Sequence, residues 1–338
     1  MRVIVDAFGG DNAPLEILKG CAMAVQEYGV DIIACGSERV IRDVCEKNKI
    51  SLDRISIADV EKVIPVEVDS TEIVKSYDDC TMAVGLKMLA NGEGDAFVSA
   101  GSTGAIVVGA SLFVKRIKGI KRAALATVIP SQNGCYMLLD MGANTECRPE
   151  MLVQFGIMGS AYMEHVMGVK NPRVGLINIG AEETKGMELQ VQAHQQFQNA
   201  PVNFIGNIEP RDLPFTRCDV AVADGFTGNI VLKLTEGLGS WFAKELKGVL
   251  LRNFVSKIGT LFVAKGVVEF KKKMDYTEYG GAPLMGITRP VIKAHGSSNA
   301  KAFKNAIRQA KLCVANDLCG TMEKALAEVA AQKEEADA

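Results

Sequence analysis

Asp219-Val-Ala-Val-Ala-Asp-Gly-Phe-Thr-Gly-Asn229 reads as a short apolar strand, a glycine-containing turn and the start of a helix. The helix-like segment continues from Ile230 to roughly Leu250. Gly225 and Gly228 let the backbone turn tightly and approach a ligand closely. Thr227 and Asn229 are favoured capping types, placed where the helix is expected to begin. The first amides of such a helix have no partner inside it, and the macrodipole there is positive, so the turn is a seat for phosphate or for a developing oxyanion. Taken singly, such a turn is an ordinary strand-to-helix connection. The functional reading rests on how often the chain repeats it.

Outward from that stretch, short β-branched or apolar runs alternate with helical patterns. Arg2-Val-Ile-Val-Asp6, Asp31-Ile-Ile-Ala-Cys35, Asp95-Ala-Phe-Val-Ser99, Tyr136-Met-Leu-Leu139, Arg173-Val-Gly-Leu-Ile-Asn178 and Pro290-Val-Ile-Lys-Ala294 read as strands. Helices are expected over about 15–28, 37–48, 78–91, 105–117, 149–167, 187–198 and 300–318. Alternation of this kind means βαβ units, a mostly parallel sheet and an α/β fold of three layers. In such a sheet the loops after the strands share the carboxyl edge, where ligands bind. The loops at 6–12, 99–104, 140–144, 178–186 and 224–229 combine Gly with Ser, Thr, Asn, Asp or Lys. The loop at 295–299 joins them if its strand is also parallel. Together they predict a polar, anion-accepting cleft.

The chain has 338 residues, is 48% hydrophobic and carries a formal net charge of −2. That size supports a large core, and the near-neutral charge gives no sign of nucleic-acid binding. The nine cysteines contain no C-x-x-C pair, no signal peptide is evident, and no uncharged apolar run is long enough to span a bilayer, so a cytoplasmic protein with free thiols is expected. The length allows residues 1–330 to form a single α/β/α domain, with 331–338 a frayed tail.

Several chemistries lack their signatures. Gly180-Ala-Glu-Glu-Thr-Lys-Gly186 holds Lys185 without the order of a P-loop, and no strand ends in G-x-G-x-x-G. His165, His194 and His295 stand far apart in sequence, and no Cys/His group has zinc spacing, so neither a metal nor another cofactor is expected. There is no G-x-S-x-G elbow.

Read together, the loops are a signature of their own. Asp6-Ala-Phe-Gly-Gly-Asp11 with Pro14, Ser99-Ala-Gly-Ser-Thr-Gly-Ala105, Asp140-Met-Gly-Ala-Asn144 with Cys147 and Pro149, and Gln154-Phe-Gly-Ile-Met-Gly159 come first. Asn178-Ile-Gly-Ala-Glu-Glu-Thr-Lys-Gly186, Asn203-Phe-Ile-Gly-Asn-Ile-Glu209, Asp224-Gly-Phe-Thr-Gly-Asn229, Glu278-Tyr-Gly-Gly-Ala-Pro-Leu284 and Ala294-His-Gly-Ser-Ser-Asn299 complete it. In these motifs, which run in order over nearly the whole chain, the sequence resembles the phosphate acyltransferase family. That resemblance implies formation of acyl-phosphate from acyl carrier protein thioesters and inorganic phosphate, for phospholipid (phosphatidic acid) synthesis. It also implies an isopropylmalate dehydrogenase/phosphotransacetylase-like fold, a homodimer, and a membrane glycerol-3-phosphate acyltransferase as user of the product. Phe8 stands where the family pattern has Met, Ser102 where it has Asn, and Thr288-Arg-Pro290 replaces a Gly-containing link.

Phosphate brings its own nucleophilic oxygen, so the reaction needs positioning and charge stabilisation more than a protein nucleophile. Backbone amides at 101–105 and 225–229 are candidates to cradle it. On this reading Gly101, Ser102, Thr103, Gly104, Asn144, Thr227 and Gly228 bind phosphate or substrate. Lys185 is the candidate for fixed positive charge, on phosphate or on the oxyanion. Asn229 either caps its helix or offers an amide N–H to the reacting group. His295 is a candidate proton carrier or phosphate ligand. Asp6, Asp11, Asp140 and Asp224 are expected to brace loops through backbone amides. Cys147 has no activating neighbour in sequence.

The stretch 244–276 breaks the alternation as a basic, apolar helical excursion. Leu250, Leu251, Phe254, Val255 and Ile258 are expected on one helical face, with Lys247, Arg252 and Lys257 off it and Lys271-Lys-Lys273 closing the segment. Such a stretch docks on an anionic membrane or an acidic partner, or pairs with a second copy. A second basic cluster comprises Lys115, Arg116, Lys118, Lys121 and Arg122. The competing readings are a phosphotransacetylase-like enzyme using acyl-coenzyme A and a non-catalytic scaffold for lipid synthesis.

Overall fold

The computed structural model of the chain describes residues 1–273 and 280–336, with the side chains of 271–273 and 329–336 outside the description. In chain order the elements are β1 (Arg2–Asp6), α1 (Leu15–Tyr28), β2 (Asp31–Gly36), α2 (Glu38–Lys47), β3 (Ile55–Asp59), α3 (Thr81–Ala90), β4 (Ala96–Ser99) and α4 (Thr103–Gly109). They continue with β5 (Ala124–Ser131), β6 (Gly134–Leu139), α5 (Pro149–His165), β7 (Arg173–Ile177), α6 (Glu188–Phe197), β8 (Asn203–Ile208) and β9 (Val220–Val222). The last are α7 (Gly225–Leu250), α8 (Phe254–Lys273), β10 (Ala282–Met285), β11 (Val291–Lys293), α9 (Ala300–Ala315) and α10 (Leu318–Ala336).

The strands form one sheet in the order β3-β2-β1-β4-β11-β10-β5-β6-β9-β7-β8. Alternation along each strand makes the layers, because successive side chains point to opposite faces. Val3 and Val5 of β1, Val98 of β4 and Met137 and Leu139 of β6 join one apolar core, under α1, α5, α9 and α10. Ile4 and Phe97 face the other way, into a second core with Leu86 of α3 and Ile106 of α4. Tyr136 and Leu138 join a third with Leu232 of α7. The chain therefore has the expected three-layer α/β architecture.

One sequence expectation fails. The strands do not share a single carboxyl edge. β1, β2, β3, β4 and β11 are mutually parallel, and so are β6, β7, β8 and β9. Between the two blocks β10 runs antiparallel to both β11 and β5, and β5 antiparallel to β6. Three reversals in a row leave the two blocks pointing in opposite directions. The cause is a pair of strands that the helix-strand alternation hides. β5 is followed by a hairpin rather than a helix, and β10 follows α8. The conditional expectation for β11 holds, since Ile292 pairs in parallel with Val98.

The excursion is an α7–α8 helical hairpin. α7 ends at Leu250, and Asn253 opens α8 by accepting from the Ser256 amide at 2.8 Å. The expected single face from Leu250 to Ile258 is thus cut by a turn. Leu250 ends α7 and Leu251 caps it, while Phe254, Lys257 and Ile258 lie on α8. Phe254 is 77% exposed, and Leu251 and Ile258 are also exposed. The side chains of Lys271 and Lys272, and the first two residues of the 278–284 motif, lie outside the described residues. Among the described residues no helix is long and apolar enough to cross a membrane.

Candidate active site

Hydrogen bonds gather the loops into groups. The first unites 6–12, 99–104 and 295–299. The buried carboxyl of Asp6 accepts from Ser99 Oγ at 2.7 Å, the Asp11 amide donates to the Gly296 carbonyl at 2.9 Å, and Asn12 Nδ2 donates to the Ser297 carbonyl at 3.1 Å. Burial raises the Asp6 pKa against the opposing hydrogen bond from Ser99. Close approach is essential here. A Cβ on Gly10, whose φ is +101°, would lie 2.9 Å from both Ala100 Cβ and the Gly296 carbonyl. Phe8 lays its ring on Gly36 of β2, where a Cβ would come within 2.3 Å of it.

Within this group α4 starts at Thr103 with Ser102 as its N-cap residue. Ser102 makes no side-chain capping bond, so the Thr103, Gly104 and Ala105 amides have no acceptor among the described residues. Gly101 is different, because its amide already donates to Ser99 Oγ at 2.9 Å. The candidate phosphate seat is thus Ser102–Ala105 without the Gly101 amide. His295 stands beside it. Its Nδ1 accepts from the Ser297 amide at 3.3 Å and pairs with Ser297 Oγ at 2.9 Å. Burial and the positive charges of Lys233 and Lys293 lower its pKa, although Glu236 opposes them. Solvent still reaches the ring. The neutral imidazole therefore dominates at pH 7, with the remaining proton on Nε2.

The second group joins 140–144 to the start of α7. Asp140 is fully buried and accepts from the Leu125 amide at 2.9 Å, the Ala143 amide at 3.2 Å and the Asn144 amide at 2.7 Å. Asn144 is a brace: its Nδ2 donates to the Ala123 carbonyl at 2.8 Å and to Asp140 at 2.9 Å, and its carbonyl accepts from the Gly225 amide at 2.7 Å.

The start of α7 corrects the opening reading. Its N-cap is Asp224, not Thr227 or Asn229. The Asp224 carboxylate accepts from the Thr227 amide at 2.9 Å and from Thr227 Oγ1 at 2.7 Å. The Gly225 amide is taken by Asn144, and the Gly228 amide by the Asp224 carbonyl at 2.9 Å. A protein carboxylate already occupies the positive end of this helix, so the amides at 225–229 are not an open phosphate seat. Gly228 is present because the Asp140 carbonyl lies against it. Asn229 is one turn further on, exposed and beside Gly142, and its carboxamide makes no hydrogen bond among the described residues.

That geometry separates two roles. Asp224→Ala is expected to lower stability by about 1–2 kcal/mol, the usual effect of losing a cap. Asn229→Ala is expected to leave the melting temperature unchanged, so that any loss of rate measures contact with the reacting group. Melting curves and initial rates of both variants check this, and a destabilised Asn229→Ala would return Asn229 to a structural role.

The third loop, 178–186, stands apart. Asn178 is buried and its Nδ2 holds the Lys185 carbonyl at 2.9 Å, while Asn207 Nδ2 holds the Glu182 carbonyl at 2.7 Å. The Lys185 side chain is 48% exposed, with Nζ 3.9 Å from Glu182. Lys185, Asn229 and His295 thus arise from three different loops and do not touch one another. α7 connects the groups, since Lys233 on its third turn acts electrostatically on both His295 and Lys293. Sequence reading missed Lys233 and Lys293. A lysine inside the apolar strand Val291–Lys293 was the available signal. Burial pushes the Cys147 thiol up to about 12, consistent with an inert side chain.

A groove of about 780 Å³ lies between α7 and α8. Leu232, Phe242, Leu246 and Leu250 of α7, Phe270 of α8 and Ile129 of β5 line it. It begins at Leu232, one turn beyond Asn229.

Comparison with known proteins adds ancestry to this geometry. A family model described as "Fatty acid synthesis protein" matches residues 1–321. A phosphate acyltransferase from Thermoanaerobacter pseudethanolicus is 47% identical over 319 residues, covering 94% of this chain and 95% of that protein. One from Clostridium novyi is 46% identical over 311 residues, covering 92% and 94%. Among solved structures, a phosphotransacetylase from Streptococcus pyogenes superposes with a TM-score of 0.66 at 15% identity, over 93% of this chain and 94% of that one. That last likeness is one of fold.

Proposed function

The chain belongs to the phosphate acyltransferase family, and from that premise we propose that it transfers an acyl group from acyl carrier protein to inorganic phosphate, supplying acyl-phosphate for phosphatidic acid synthesis. The observation that carries this reading is the end-to-end match to phosphate acyltransferases, 47% identical over 94% of the chain. A phosphate oxygen attacks the thioester carbonyl, and a C–O bond forms as the C–S bond breaks. The carrier thiol leaves with the proton that phosphate gives up. The Thr103–Ala105 amides and Ser102 hold phosphate, and Lys185 and Asn229 face the oxyanion from the other block. Neutral His295, with Nε2–H as its donor, hydrogen-bonds the reacting groups while the proton passes from phosphate to sulfur. The two blocks act as lobes of one catalytic domain over residues 1–330.

The α7–α8 groove fits the acyl chain. Leu232 to Leu250 spans about 27 Å at helical rise, room for a long extended chain. A coenzyme A thioester is the alternative donor, favoured by the phosphotransacetylase fold. Acyl carrier protein thioester or acyl-coenzyme A, each supplied with phosphate, is the deciding experiment. Acyl-phosphate is expected from the carrier-protein thioester at a far higher kcat/KM. A preference for coenzyme A would overturn the proposed donor, and no acyl-phosphate from either would overturn the activity and favour a scaffold.

The exposed apolar residues of the hairpin, with Lys257, Lys271 and Lys272, are proposed to hold this cytoplasmic protein at the inner membrane surface, near a membrane glycerol-3-phosphate acyltransferase. A homodimer is the proposed assembly. Flotation with anionic liposomes is expected to carry the wild type upward and to lose at least half of it on changing Leu251, Phe254 and Ile258 to Gln. Equal flotation of both proteins would remove the hairpin from membrane binding.

A further inference from the structure

Among the described residues Lys293 is the only lysine or arginine that is buried, at 9% exposure. It closes β11, paired with Ser99 of β4, directly beneath the loops 99–104 and 295–299. Val291, two residues earlier, faces the core shared with α3 and α4. Alternation therefore aims Lys293 at the face that carries the start of α4. Its Nζ donates to the Ala100 carbonyl at 3.3 Å and to the Ala294 carbonyl. An ammonium has three N–H groups, so one is left over. Among the described residues no carboxylate oxygen lies within ion-pair distance of it.

A buried charge is ordinarily paired, because removing an ion from water costs several kcal/mol. Carbonyl oxygens solvate an ammonium but leave its charge in place. The charged and titratable groups facing Lys293 are Asp6, Asp11, Lys233 and His295. Asp11 and Asp6 attract it from a distance, Lys233 repels it, and burial favours the protonated form of Asp6. Among the described residues this buried ammonium therefore keeps an N–H without an acceptor beneath the loops 99–104 and 295–299.

Resting on the phosphate acyltransferase reading, we propose that Lys293 is a phosphate-binding residue, holding inorganic phosphate from below between the Ala100 carbonyl and the first turn of α4. This divides the positive charges. Lys293 serves the attacking phosphate, and exposed Lys185, on the opposite block, serves the thioester oxygen. Burial lowers the Lys293 pKa to about 8, so the site is charged at neutral pH and discharges in mild alkali.

The test uses the full chain with Lys293→Met and Lys293→Arg, and inorganic phosphate as the probe. In wild type, phosphate is expected to raise the melting temperature. Lys293→Met is expected to melt no lower than wild type without ligand, to lose the phosphate-induced rise, and to show a phosphate KM increased by about 10- to 100-fold with an unchanged thioester KM. Lys293→Arg is expected to retain phosphate protection in part and to hold it above pH 9, where that of wild type has faded. Unchanged phosphate KM and protection in Lys293→Met would overturn the proposal, as would a lower melting temperature with phosphate binding intact, which marks a loop brace. If Lys293→Met does not fold, the pH comparison between wild type and Lys293→Arg decides, and identical profiles would overturn it. Wild type that binds phosphate without making acyl-phosphate would sink the functional reading and leave Lys293 as a phosphate ligand.

Discussion

Replacing Lys185 with alanine is expected to reduce acyl-phosphate formation by at least about 10²–10³-fold, with the fold intact. That magnitude is typical of removing one oxyanion donor, and the loss of a full positive charge is expected at its upper end. The fold survives because the loop is held by other groups. Asn178 fixes the Lys185 backbone carbonyl and Asn207 fixes Glu182. Among the described residues the Lys185 ammonium pairs with Glu182, at 3.9 Å and half exposed, a pairing worth well under about 1 kcal/mol. Melting temperature is therefore expected to stay within about 1 °C of wild type, by the usual small effect of surface substitutions. Asn178→Ala supplies the contrast, since it releases the loop while keeping the lysine. It is expected to lower both stability and rate. A folded Lys185→Ala enzyme with wild-type turnover would take Lys185 out of the chemistry.

Much of this arrangement was readable from sequence, and the failures have physical causes. Val3, Val5 and Val98 announced buried strands through β-branched runs, and the glycine-rich stretches after them announced the loops that follow those strands. The reversal of the sheet was not readable. β5, Ala124–Ser131, is followed by the two-residue turn Gln132-Asn133 and then β6, so no helical period follows to flag it as a strand. β10 is only Ala282–Met285, next to a helix whose apolar character masks it. Local pattern reports periodicity and not direction.

The same limit explains the start of α7. Sequence shows which residues can cap, yet Asp224, Thr227 and Asn229 all qualify. What selects Asp224 is the Asn144 carbonyl, which binds the Gly225 amide and sets where the helix begins. Asn144 is 81 positions away in sequence. Lys293 escaped for the opposite reason. A lysine in an apolar strand reads as an edge or a strand end, and only the burial around it shows that its charge lacks a partner.

The second large effect is expected from Gly228→Ala. A Cβ at this position would lie 1.9 Å from the Asp140 carbonyl oxygen and 3.0 Å from its carbon. Both are backbone atoms, so no rotamer change relieves the contact. Asp140 cannot retreat, because its carboxylate is tied to the amides of Leu125, Ala143 and Asn144 inside the protein. Relief requires α7 to separate from the 140–144 loop, which breaks the Gly225–Asn144 bond and moves Asn229 away from Gly142. The expected cost exceeds the roughly 1–3 kcal/mol of ordinary overpacking. Gly237→Ala on the same helix is the control. Among the described residues nothing lies within 4 Å of its Cβ, so the exchange is expected to add about 0.5–1 kcal/mol of stability through helix propensity. Denaturant unfolding of the two variants measures both signs. A Gly228→Ala protein as stable as wild type would mean that the 140–144 loop does not press on α7 and that Asn229 is not held beside Gly142 by that packing.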